Sequence, residues 1–90
     1  MSPRFIMYER IGQYYLRDIT GELLTLQFAR ESDCNEWMGF VNGVGNDFSF
    51  TCEVGDTCTI TEDNMKLPML LFNSQEDYQK WVNFIVDRIW

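Results

Sequence analysis

Apolar and polar residues trade places in six short stretches of this 90-residue chain and recur at helical spacing in two longer ones. Residues 5–11 predict a strand, closed by a turn at Gly12-Gln13, and residues 14–19 a second strand. Thr20-Gly21-Glu22 connects it to a third over 23–29, where Leu24, Leu26 and Phe28 alternate with Thr25 and Gln27 to give one buried and one polar face. Ser32 or Asp33 is the expected cap of a helix over 33–42, with Cys34, Trp37, Phe40 and Val41 as its apolar stripe. Asn42-Gly43 closes that helix, glycine accepting the left-handed conformation that a helix C-terminus favours. The second half predicts strands over 48–53, 57–61 and 68–72, with Pro68 confined to a strand start or an edge. Ser74 and Asp77 form a capping-box start for a helix over 75–89, whose stripe is Tyr78, Trp81, Val82, Ile85 and Ile89. Glu76 and Asp77 sit at its positive end and Arg88 at its negative end, so charge and pattern agree.

The two halves share a spacing. Phe28, Asp33, Trp37 and Phe40 recur forty-four positions later as Phe72, Asp77, Trp81 and Phe84, and Leu26 and Val41 map to Leu70 and Ile85. Three short strands with one helix cannot hide their apolar face alone, whereas two such units can do so jointly. The expected fold is therefore α+β in the order βββα-βββα, with a repeat over 4–43 and 48–87 packed as one pseudo-twofold domain. Chance recurrence of a common strand–turn–helix unit is the alternative.

Composition adds a bias. Apolar residues make up 46% and aromatics 16%, which belongs to a packed protein and leaves rings over for a surface. The net charge is −7 and is unevenly spread. Residues 1–30 hold four arginines against three acids, a balance of +1, whereas Glu31, Asp33, Glu36, Asp47, Glu53, Asp56, Glu62 and Asp63 precede the next base, Lys66. Such a surface repels phosphate backbones and anionic lipid heads, so direct nucleic-acid and membrane binding are not expected. No apolar run reaches the roughly 20 residues of a membrane helix, and an odd number of cysteines suits reduced thiols, so a cytoplasmic setting is expected.

Candidate chemistry is sparse. There is no histidine, which removes the usual general base, the common catalytic triads and the commonest metal ligand. Cys52 and Cys58, five residues apart in between, match no zinc spacing; two reduced thiols are expected, with a disulfide open if the side chains face each other. Gly43-Val44-Gly45 follows a helix and so is no phosphate loop. The acid pairs Glu62-Asp63 and Glu76-Asp77 fall at turns or caps, where solvated carboxylates are ordinary. Neither an enzyme, nor a cofactor, nor a metal site is expected.

What remains is an interaction role. The eight acids are the expected contact pool for a protein with a basic surface, with Tyr14, Tyr15 and the terminal Trp90 as apolar anchors. A stoichiometric inhibitor that fills a nucleic-acid-binding groove fits this, in the manner of small phage or mobile-element proteins directed against host nucleases, CRISPR complexes included. That likeness is one of size and charge alone. Self-association, as a homodimer or larger assembly with the acids serving solubility, and a small-ligand pocket are the alternatives.

Overall fold

The computed structural model describes residues 3–43 and 48–89. The chain divides between residues 44 and 45 into two compact units, each made of three antiparallel strands followed by one helix.

In the first unit, β1 (Phe5–Arg10) and β2 (Gln13–Asp18) form a hairpin with Arg10 opposite Gln13. The turn is thus Ile11-Gly12, one residue earlier than the expected Gly12-Gln13. Both residues have positive φ, 52° and 74°, as a two-residue hairpin turn requires to match strand twist. β3 (Leu26–Phe28) pairs with β2 and is shorter than the expected 23–29. Leu23 is buried, but its N–H donates to the Asp18 carboxylate at 3.1 Å instead of entering a ladder, and Leu24, expected inside, is 44% exposed. α1 (Glu31–Asn42) packs across all three strands. It starts two residues before the expected 33, with Arg30 as a cap residue that makes no side-chain capping bond. Asp33 lies inside the first turn and pairs with Arg30 at 3.4 Å, so it favours the helix dipole without capping. Gly43 at the far end is extended, not left-handed (φ −113°). Its lack of a side chain matters sterically, because a Cβ there would lie 2.7 Å from the Gly39 carbonyl oxygen.

In the second unit, β4 (Phe50–Val54) pairs with β5 (Cys58–Glu62), which pairs with β6 (Leu70–Phe72). The strands are offset by one or two residues from the expected ranges, and Pro68 falls ahead of β6, where its missing N–H costs no ladder bond. α2 (Gln75–Ile89) has the expected ends, and the Asp77 N–H donates to Ser74 Oγ at 3.4 Å. It packs on β5 and β6.

Register repeats along with order. Tyr14↔Phe28 and Leu16↔Leu26 in the first sheet become Cys58↔Phe72 and Ile60↔Leu70 in the second, each shifted by 44. Trp37 meets Phe40 edge-on at 5.6 Å, and Trp81 meets Phe84 in the same way at 5.6 Å. Both tryptophans are fully buried. The core of the first unit includes Phe5, Leu16, Leu26, Phe28, Trp37 and Phe40. That of the second includes Ile60, Leu70, Phe72, Tyr78, Trp81 and Ile85.

Candidate interaction surface

Two carboxylates that end a middle strand are buried, one in each unit and forty-four positions apart: Asp18 at 2% exposure and Glu62 at 1%. Asp18 accepts from Arg4 Nε and Nη2, from the Thr20 N–H and hydroxyl, and from the Leu23 N–H, all at 2.7–3.1 Å. Burial raises its pKa, but these donors outweigh that and hold it down at about 2. Glu62 accepts from three backbone N–H groups, those of Ser49, Asn64 and Lys66, at 2.8–3.0 Å. Burial again opposes ionisation, and the backbone donors with the Lys66 charge overcome it, leaving the pKa below the ordinary carboxylate value. Both acids are turn organisers, each tying down the loop that leads to the third strand. Gly21 and Met65, at equivalent places in those loops, both have positive φ, 76° and 59°. Glu62 therefore leaves the expected contact pool, since a carboxylate closed off from solvent and saturated by main-chain donors has no free face for a partner.

The other acids in the pool are placed differently. Glu31 and Glu36 are exposed on α1, and Asp33 is half-buried beside Arg30. Glu53 is exposed on β4 and Asp56 in the β4–β5 turn. Asp63 is exposed, and its carboxylate accepts from the hydroxyls of Ser49 at 2.8 Å and Thr51 at 2.5 Å, which lower its pKa, Thr51 the more strongly. That contact sets Asp63 on the same side of the hairpin as Thr51 and, two residues along, Glu53. Asp47 and Trp90 lie outside the described residues.

The tyrosines do take opposite faces of β2. Tyr14 is on the α1 side, half-buried opposite Glu9 and Phe28, and the Glu9 charge, with burial and Glu31, raises its pKa. Tyr15 is on the other side, stacked on Tyr8 with ring centroids 5.1 Å apart and planes 16° from parallel. Tyr8 was not singled out by sequence. The signal was the hairpin register: a two-residue turn at 11–12 sets 8 opposite 15.

The thiols are separate. Cys52 is exposed and stands opposite Ile60, while Cys58 is buried opposite Val54, and neither forms a disulfide. Burial, with the Glu31 charge, pushes the Cys34 thiol up to about 11, so it is protonated at neutral pH. Among the described residues no group of three or more Cys, Asp and Glu side chains is placed to hold a metal ion, and no helix is long and apolar enough to cross a membrane. The chain matches no protein-family model, no curated protein and no solved structure.

Proposed function

We infer that the protein is a non-enzymatic, acidic binding module that occupies a basic surface of a partner protein, of the kind that ordinarily takes nucleic acid. The observation that carries this reading is the run from Glu31 to Met65, which holds eight acids and no base. Of the acids described there, Glu31, Glu36, Glu53, Asp56 and Asp63 are exposed. Exposed carboxylates of one sign speed encounter with a positive groove and select against anionic competitors. The three unpaired thiols support a reducing compartment such as the cytoplasm.

The test compares the wild-type protein with the variant E31K/E36K/D56K as bait in nuclease-treated lysate of its host cell, eluted in salt steps. A basic nucleic-acid-handling protein retained by the wild type, released at moderate salt and lost with the variant is the expected result. Retention that ignores both salt and charge reversal overturns the electrostatic reading.

A further inference from the structure

The α1 helix covers one side of the first sheet, and the strand alternation sends a different set of residues to the other. That outer side carries Ile6, Tyr8 and Arg10 from β1, Gln13, Tyr15 and Arg17 from β2, and Gln27 from β3. They fall in three rows: Ile6 with Arg17, then Tyr8 with Tyr15 and Gln27, then Arg10 with Gln13. The stacked tyrosines fill the middle, and Gln27 Nε2 donates to Gln13 Oε1 at 3.3 Å. Ile6 and Tyr8 are each 38% exposed. Neither arginine has a carboxylate partner among the described residues, and no acid shares the face. A face of +2 with apolar rings at its centre is unusual in a chain of net charge −7.

The corresponding side of the second sheet is its electrostatic counterpart. Thr51 and Glu53 of β4, Thr59 and Thr61 of β5 and Leu71 of β6 lie there, and the Ser49 and Thr51 hydroxyls hold Asp63 on the same side. The rows are Asp63 beside Ser49, then Thr51 with Thr61, then Glu53 with Thr59 and Leu71. The acids thus occupy the two end rows, as the arginines do on the first sheet. In both cases four residues of strand rise separate the charged rows, about 13 Å. Leu71, 63% exposed, lies in the Glu53 row, next to the Thr51–Thr61 row that would face the tyrosine pair.

We propose that the outer face of the first sheet is a docking surface for a second copy of this chain, which presents the Glu53–Asp63 face of its second sheet to Arg10, Arg17 and the Tyr8–Tyr15 stack. Two sheet faces stack about 10 Å apart, a gap that arginine side chains span. The equal row spacing of opposite charges is what selects a second copy over an unrelated acidic partner. The association is of the weak class, because a three-stranded face is smaller than the roughly 800 Å² per partner of a standard interface, and the −7 charges of the two copies repel. It goes beyond the inhibitor reading and does not rest on it: the two share Glu53 and Asp63, but Glu31, Glu36 and Asp56, on which the test of that reading turns, take no part here.

Sedimentation equilibrium of the purified protein from on the order of 10 µM to 1 mM tests the proposal. The weight-average mass of the wild type rises with concentration. The variants R10E/R17E and E53K/D63K, with helical and strand content checked by circular dichroism, each associate at least about tenfold more weakly. Their equimolar mixture associates again, because each now supplies the face the other needs. R10Q/R17Q and E53Q/D63N repeat the loss without reversing charge. A wild type that keeps the mass of one chain throughout, a self-association untouched by R10E/R17E, or a mixture of folded variants that stays monomeric overturns the proposal. So does a single-stranded oligonucleotide that binds the wild type and not R10E/R17E, which gives the face to an anionic polymer instead.

Discussion

Replacing Asp18 with asparagine keeps the shape of the buried side chain and removes its charge. An ordinary aspartate titrates at 3.8 and this one at about 2, held there by Arg4, Thr20 and Leu23 against the cost of burial. A carboxylate lowered by folding stabilises the fold above its ordinary value, and this contribution disappears as the pH falls through the folded value. The difference corresponds to about 2 kcal/mol at pH 7 and about 1 kcal/mol at pH 3. Asparagine retains one carbonyl, at the Oδ1 position, for the Thr20 and Arg4 Nε donors, but puts its NH₂ where Oδ2 accepts from Arg4 Nη2 and the Leu23 N–H, which adds the cost of unmet donors. D18N is therefore expected to lie about 2–3 kcal/mol below the wild type at pH 7, with the gap shrinking by about 1 kcal/mol at pH 3. Urea denaturation followed by circular dichroism at both pH values measures it. A gap that is the same at pH 3 and pH 7, or absent at pH 7, refutes the claim that the buried charge stabilises the turn.

The remaining expectations can be checked with the same denaturation assay or with thiol labelling. E62Q removes the charge from a carboxylate held by three main-chain N–H groups and leaves one of them facing an amide, for a loss of about 1–3 kcal/mol at pH 7. I11N and M65G each relieve a side chain held at positive φ and exposed at 91% and 89%, so each raises stability by about 1 kcal/mol. W37A and W81A each remove a fully buried core side chain and cost about 3–5 kcal/mol each. In the native protein a thiol reagent modifies Cys52 alone, with Cys34 and Cys58 reacting only after denaturant is added; early reaction of Cys34 contradicts its burial.

Legibility followed the range over which each residue's environment is set. Trp37, Phe40, Trp81 and Ile85 were readable as helix-stripe residues because helical spacing is local, and the end points of α2 followed from Ser74 and its neighbours. The start of α1 was misplaced because Asp33 looked like a cap, whereas its carboxylate is engaged by Arg30. The buried roles of Asp18 and Glu62 were not readable at all. An acid at the end of a strand is ordinarily solvated, and only donors brought from 4, 20 and 23, or from 49, 64 and 66, make burial tolerable. The same holds for the outer face of the first sheet, where Tyr8 meets Tyr15 because the turn sits one residue from its expected place.

By itself the amino-acid order determined the α+β class, the sequence of three strands and a helix written twice, the forty-four-residue spacing and the uneven charge. All of these depend on periodicity and composition, which neighbouring residues carry. Tertiary structure decided which carboxylates are exposed and which are turn organisers, which tyrosines stack, and which face of each sheet carries its charges. Those outcomes depend on strand register and on donors distant in the chain: a turn moved by one residue changes which side chains meet across a hairpin, a one-residue slip of register exchanges the faces of a strand, and a buried charge is stable only where folding delivers its partners.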